Sequence, residues 1–177
     1  EDQYKPRLVE DNASVKPDGR HLNAQLVDKA ISYVDRQSKL APERPFFLYL
    51  APGAGHSPHQ VDQPWLDKYK GKFDAGWDVV REQTLERQKK LGVIPKDAKL
   101  LPRDARVPAW SSLSADQKRI NARFMEGYAA FVEYTDYEIG RLVTHLREKG
   151  ELENTAIFLI VGAWAYARSH VEEIERQ

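Results

Sequence analysis

Two uninterrupted apolar segments constrain the fold of this chain more than any other feature. Residues 46–50 read FFLYL and residues 156–161 read AIFLIV, with no polar alternation in either. Such a run is typical of a strand covered on both faces, as in a parallel sheet flanked by helices. The apolar stretch from Ala156 to Ala167 is well short of the roughly 20 residues that span a bilayer. We therefore predict an α/β fold with parallel strands at residues 46–51 and 155–161.

Helical periodicity predicts the elements that flank these strands. Asn23 is placed to cap a helix whose apolar residues recur at helical spacing, and this helix leads into the first strand. Ser114 and Gln117 form a capping-box pattern at the start of the longest helix, which Gly150 ends. A long helix between two parallel strands is the crossover connection that such strands require. The pattern therefore indicates a helix-rich α/β arrangement.

The remaining stretches are predicted as shorter helices and irregular chain. Trp65 and its neighbours indicate a short helix, and Asp78 is placed to cap another that runs to Leu91 before a glycine stop. Residues 1–20 and 93–113 combine prolines with little periodicity. We predict an irregular arm for the first of these stretches and a long ordered loop for the second.

Composition limits the classes of partner and of chemistry. Lysine plus arginine total 27 and aspartate plus glutamate total 27, so no net field favours nucleic acid or an anionic membrane. The absence of cysteine excludes disulfides, thiolate metal ligands and a cysteine nucleophile within this chain. The first residues carry no basic stretch followed by an apolar core, so a secretory signal is expected to be absent or already removed. Because a cysteine-free chain is stable in any compartment, the localisation stays open.

The loop after the first apolar segment is the expected site of chemistry. It contains Gly53, Ala54, Gly55 and His56, and ligands of open α/β sheets bind at the carboxyl ends of strands. An imidazole that titrates near neutrality can donate to an anionic ester oxygen or protonate a leaving group. The alternative is that His56 and the nearby His59 are loop histidines bonded to local backbone.

The other histidines give no such signal. They are expected at solvated helical or irregular positions: His21, His145 and His170.

Three blocks of the sequence resemble the type I sulfatase family, arylsulfatases in particular. PFFLYLAPGAGHSPHQ resembles the family's strand and histidine loop, and YKGKFDAGWDVVREQTLERQKKLGVIP resembles a block of many arylsulfatases. YAAFVEYTDYEIGRLVTHLREKGELENTAIFLIVG resembles the helix and strand before the family's second metal motif. This resemblance covers most of the chain. It implies an alkaline-phosphatase-like α/β sandwich in which a formylglycine hydrate beside a calcium ion cleaves a sulfate ester.

The resemblance assigns one site residue and leaves others without a counterpart. His56 matches a family histidine that contacts the sulfate group, and is the expected catalytic and substrate-binding residue. The nucleophile signature, Cys or Ser followed by x-P-x-R, occurs nowhere, and neither does the Asp-Asp pair that binds calcium. The family's second metal motif, Asp-Asn-Gly, is replaced after Gly162 by the residues at 163–165, Ala-Trp-Ala. We therefore predict no cofactor and no metal site in this chain, although complete family members use calcium.

The last residues depart from the family altogether. Residues 163–177 read as an amphipathic helical tail, with Trp164 on its apolar side. The whole chain is then a single domain, residues 1–177, or a fragment of a larger sulfatase-type domain.

Three kinds of function fit these observations. The first is a segment of an arylsulfatase-like sulfuric ester hydrolase that is inactive by itself, with a sulfate ester or sulfate ion as the ligand of His56. The alternative is a non-catalytic interaction or structural protein that reuses the fold fragment. In either case we expect a homo-oligomer that assembles through apolar strand edges and the C-terminal helix, because unpaired strands need partners. An enzyme with unrelated chemistry at His56 is a third possibility.

Overall fold

The computed structural model describes residues 2–160 and is rich in helix. Two short strands precede the helices: β1 (Leu8–Glu10) and β2 (Ala13–Val15). Four α-helices follow: α1 (Leu22–Leu40), α2 (Gln63–Asp67), α3 (Gly76–Leu91) and α4 (Ala115–Glu148). Single 3-10 turns lie at Trp110–Ser112 and Leu152–Asn154. In the part of the chain that the structure describes, no helix is long and apolar enough to cross a membrane.

The chain divides into two compact units. The first contains the chain up to Asp62 and resumes at Phe131, and the second is Gln63–Ala130. The assignment of residues 1–177 to a single domain or fragment stays a prediction. The tail at residues 163–177 lies outside the described residues.

The core of the first unit lies between α1 and the end of α4. Val27, Ala30 and Leu142 form a buried cluster, against which Leu48 and Leu50 pack. The apolar face of α1 is therefore the one that its periodicity predicts. The cap is different: His21 is the N-cap, and its side chain accepts a hydrogen bond from the Asn23 N–H. The prediction that Asn23 caps this helix is wrong.

Neither apolar segment forms a strand. Residues 46–51 and 155–160 carry no ladder hydrogen bonds, so the predicted parallel pair is not observed in the described chain. Burial alternates along residues 46–50, with Leu48 and Leu50 partly covered while Phe47 and Tyr49 are exposed. Residues 156–160 are exposed throughout. The expected covering of both faces is therefore not observed in residues 46–51 and 155–160. An extended segment pairs only when a neighbouring strand is present.

The N-terminal arm is more regular than predicted. β1 and β2 pair antiparallel, with Leu8 opposite Val15 and Glu10 opposite Ala13. The turn between them uses Asp11, whose φ is 52°. Asp and Asn tolerate this left-handed conformation, so the Asp-Asn dipeptide between two short apolar pairs was the available signal for a hairpin.

The second unit is organised around Trp110. This side chain is buried, and its ring lies 4.8 Å from that of Trp77. Gly76 begins α3 at a φ of 81°, and a Cβ there would lie 2.1 Å from the Trp110 ring, so only glycine fits. The prediction that Asp78 caps α3 is wrong, because the N-cap is Ala75 and Asp78 lies in the first turn. The Asp78 side chain accepts a hydrogen bond from the Trp110 N–H at 2.9 Å.

Two predicted helix boundaries of the second unit are confirmed, the end of α3 and the start of α4. Gly92 ends α3 in the left-handed conformation, and the Val93 N–H donates to Gln88. The capping box at α4 is present in both directions. The Ser114 N–H donates to Gln117 Oε1 at 2.9 Å, and the Gln117 N–H donates to Ser114 Oγ at 3.2 Å.

Candidate functional site

The candidate site is the histidine loop, defined as residues 53–60. A turn opens it: the His56 N–H donates to the Gly53 carbonyl at 3.1 Å, and Gly55 adopts a φ of 88°. His56 is exposed, and its Nδ1 lies 2.6 Å from the Ser57 carbonyl oxygen. A proton on Nδ1 makes this a hydrogen bond, so Nε2 of the neutral ring is an unprotonated acceptor.

Both ends of the histidine loop are held by the first turn of α1. The Gly53 N–H donates to Asn23 Oδ1 at 3.3 Å, and the Gln60 carbonyl lies 2.9 Å from His21 Nε2. The N-terminal arm adds a third attachment, because the Gln3 N–H donates to Gln60 Oε1 at 2.8 Å. The loop is therefore anchored to buried groups at its two ends while His56 lies between them.

His21 is a buried structural histidine. Its Nδ1 accepts from the Asn23 N–H at 3.0 Å, so Nε2 carries the proton that it donates to the Gln60 carbonyl. Three aromatic rings surround it, at centroid distances of 4.6 to 5.7 Å: Tyr4, Phe131 and Tyr134. Burial lowers the pKa of His21, against a raising effect of the Gln60 carbonyl bond. The neutral ring is thus the form that this site holds.

Carboxylates near His21 are paired with tyrosine hydroxyls. The Tyr4 hydroxyl donates to Asp62 at 2.7 Å, and both burial and this bond raise the pKa of Tyr4. Burial and a hydrogen bond to Glu138 likewise raise the pKa of Tyr134. These tyrosines are consequently donors at neutral pH, and they have no role here as bases.

The five histidines are not equivalent, and only some predictions about them hold. His56 is exposed, whereas His59 is half-buried with its ring 5.9 Å from Phe131. The role of His56 in ligand contact stays a prediction. The prediction that His21 is solvated is wrong, because only 3% of it is exposed. His145 is also partly buried, with its Nε2 2.9 Å from Asp35 Oδ1. His170 lies outside the described residues.

Calcium does not fit the described residues. Hard cations need several oxygen ligands at once, and residues 2–160 contain no group of three or more histidine or acidic side chains that could hold a metal ion. The motif positions at 163–165 fall outside these residues. That the chain uses no metal therefore remains a prediction.

The histidine loop is an exposed surface feature. Two grooves of the first unit run along α1, one lined by Asp35 and Arg141 and the other by Tyr33 and residues 45–48. The histidine loop lines neither of them. Any ligand of His56 is therefore met at the surface of this chain.

Comparison with known proteins identifies the family. The family model described as Sulfatase matches residues 1–161, which is nearly the whole chain. The chain belongs to the sulfatase family. Membership implies an alkaline-phosphatase-like fold for the complete domain, of which the described residues show the helices and a small two-stranded sheet.

Individual sulfatases are similar over most of this chain. An uncharacterized sulfatase of Schizosaccharomyces pombe is 37% identical over 128 residues, which cover 72% of this chain and 23% of the relative. An arylsulfatase of Klebsiella aerogenes is 33% identical over 118 residues, covering 67% of this chain and 25% of the relative. A sulfatase of Formosa agariphila is 27% identical over 131 residues, or 74% of this chain and 24% of the relative. The chain thus spans about a quarter of the length of the curated relatives it matches.

Sequence reasoning missed the residues that hold the loop. The sequence pattern predicts only a capping role for Asn23. It predicts no role in the loop for His21, Gln60 or Thr135. The available signal was a polar residue on the apolar face of α1, because Asn23 precedes Val27 by one helical turn. A buried amide needs partners, and that requirement points to a buried network.

Proposed function

We propose that this chain is a segment of an arylsulfatase-like sulfuric ester hydrolase in which His56 contacts the sulfate group, and that the chain by itself is catalytically inactive. One observation carries the proposal: the sulfatase match extends over residues 1–161 and includes the histidine loop, yet the sequence lacks the nucleophile signature. Hydrolysis of a sulfate ester needs an activated attacking group and neutralisation of the developing charge. The sequence contains neither the nucleophile signature nor the family's two calcium-binding motifs.

The role of His56 rests on its exposure and on its tautomer. With Nδ1 donating to the Ser57 carbonyl at 2.6 Å, protonation of the ring places a second N–H on Nε2. That N–H is suited to an anionic sulfate oxygen, since hydrogen bonds between charged groups are roughly twice as strong as neutral ones. A sulfate ion or sulfate ester is therefore the proposed ligand.

The complete domain supplies the partner strands for residues 46–51 and 155–161.

An aryl sulfate assay with and without calcium tests this function. We expect no turnover by the 177-residue chain under either condition, with an active arylsulfatase run in parallel as the positive control. Saturable, calcium-dependent hydrolysis that His56→Ala abolishes and His59→Ala preserves would overturn the proposed inactivity.

Sulfate binding tests the ligand separately from turnover. In an NMR titration at constant pH we expect weak binding of sulfate that perturbs the His56 ring signals. His59→Ala should bind as the wild type does, and His56→Ala should not bind. Binding that survives His56→Ala would remove His56 from the site.

A second candidate function, self-assembly as an interaction protein, is favoured by the exposed apolar segments. Phe47 and Phe158 are 93% and 87% exposed, and both belong to extended chain without a ladder partner. Extended apolar segments whose backbone groups have no ladder partner can pair with a second copy. Light scattering over a wide concentration range should show a dimer that Phe158→Asp weakens and the loop variant Leu101→Asp does not. A monomer at every concentration would exclude this candidate.

A further inference from the structure

The first turn of α1 contacts the histidine loop through a buried side chain whose orientation is fixed. Asn23 is completely buried. Its Nδ2 donates to Thr135 Oγ1 at 2.8 Å, and the Thr135 hydroxyl donates in turn to the Phe131 carbonyl at 2.8 Å. Because the Thr135 proton is committed to that carbonyl, its oxygen can only accept from Asn23. The amide therefore presents Nδ2 to α4 and Oδ1 to the histidine loop.

The oxygen of Asn23 meets the residue on which the His56 turn closes. The Gly53 N–H donates to Asn23 Oδ1 at 3.3 Å, while the Gly53 carbonyl accepts from the His56 N–H at 3.1 Å. A single residue thus connects the buried amide to the backbone of His56. A shift of Gly53 moves the turn that carries the imidazole.

Packing alone does not explain an amide at this position. The same face of α1 carries the buried apolar residues Val27, Ala30 and Val34. An aliphatic residue at position 23 would continue that face, but it would leave the Gly53 N–H without its acceptor. A buried polar residue is retained at such a position when its hydrogen bonds specify a geometry.

We propose that Asn23, oriented by Thr135, is the positioning residue of His56: it fixes the Gly53 peptide on which the His56 turn closes. The choice of sulfate as the ligand rests on the proposed function. The positioning itself does not, since it concerns the geometry of the loop in the free chain.

The experiment compares Asn23→Ala and Thr135→Val with Val27→Ala in the full chain, at a temperature well below the melting temperature of each variant. Val27 lies on the same helix and is 1% exposed, so its truncation matches the loss of core contacts, including those to Leu48 and Leu50, but removes no hydrogen bond to the histidine loop. Thr135→Ser keeps the hydroxyl and serves as the rescue. The readouts are Gly53 amide hydrogen exchange, the NMR signals of the His56 ring, and sulfate titration.

We expect Gly53 exchange in Asn23→Ala and Thr135→Val to rise about tenfold relative to α1 amides, the factor that corresponds to one net hydrogen bond. We also expect His56 signals to shift and sulfate affinity to fall. Thr135→Ser should restore all three, and Val27→Ala should leave relative Gly53 exchange unchanged. The positioning role is overturned if Asn23→Ala and Val27→Ala change the Gly53 exchange rate and the His56 signals equally. It is also overturned if Asn23→Ala leaves the Gly53 exchange rate unchanged. If the wild type binds no sulfate, the proposed ligand fails, while Gly53 exchange and the His56 signals still decide the positioning.

Discussion

The helices of the first unit and its two extended apolar segments contain similar residues but bury them very differently. Phe131 on α4 is completely buried, whereas Phe47 and Phe158 are 93% and 87% exposed. The difference lies in the backbone. A helix satisfies its hydrogen bonds within one segment, so its apolar face can pack on any neighbour. An extended segment needs a second strand before it can be buried, since buried backbone groups must be paired.

The largest effect that tests this comparison is a matched pair of phenylalanine truncations. Phe131→Ala should lower the free energy of unfolding by about 3 to 5 kcal/mol, because it removes a buried ring and leaves a cavity. Phe47→Ala should change it by less than about 0.5 kcal/mol at low protein concentration, because its ring is in contact with solvent. Urea unfolding followed by circular dichroism measures both. Equal losses in the two variants at low concentration would show that the extended segment is buried in solution and would break the comparison.

The same contrast explains how far the sequence predicts the fold. Local signals predict the end of α3 at Gly92 and the start of α4 at the Ser114 capping box. Both signals act within a few residues of chain. The prediction of parallel strands at residues 46–51 and 155–161 rests on the apolar content of these segments. Whether the segments pair depends on residues outside them. A strand prediction is conditional on its partners in a way that a helix prediction is not.

For the candidate site, sequence predicted the loop but not what holds it. The glycines and His56 are adjacent in sequence, so the loop could be recognised. Asn23 and Thr135 are separated by 112 residues, and no periodicity connects them. Because His21 directly precedes α1, its burial could not be inferred from neighbours that include Arg20 and Asp18.

A smaller effect is expected in the free energy of unfolding at acidic pH, because His21 is buried in the helical part of the first unit. Burial lowers the pKa of His21 from its ordinary value of 6.5, so the unfolded chain binds this proton more readily than the folded one. The contribution of the neutral His21 ring to the free energy of unfolding is therefore fully present above pH 6.5. It is lost as the pH falls through the pKa of His21 in the folded chain. Nearby Asp62 and Glu138 limit this loss, since they favour the charged ring. Unfolding free energies measured from pH 8 down to pH 5 should decline in the wild type.

His21→Asn is the variant that isolates this ring. Asparagine keeps an N-cap acceptor for the Asn23 N–H but has no group that titrates. We expect His21→Asn to be less stable than the wild type at pH 8 and to show a shallower decline toward pH 5. The difference between the two slopes isolates His21 from the other histidines. Parallel slopes would show that the ring is not held neutral by the fold.

The smallest effect concerns the start of α4, where a helix supplies its own end partners while the extended segments lack theirs. Ser114→Ala removes the acceptor of the Gln117 N–H at 3.2 Å, and should lower the free energy of unfolding by about 1 kcal/mol, the usual cost of losing a serine cap. Ser111→Ala, at a neighbouring exposed position outside the box, should change it by less than about 0.5 kcal/mol. Denaturant midpoints at constant slope measure both differences. If the two alanine variants are equally stable, the box contributes nothing to α4, and the long helix depends on packing along its length in the same way that the extended segments depend on a partner.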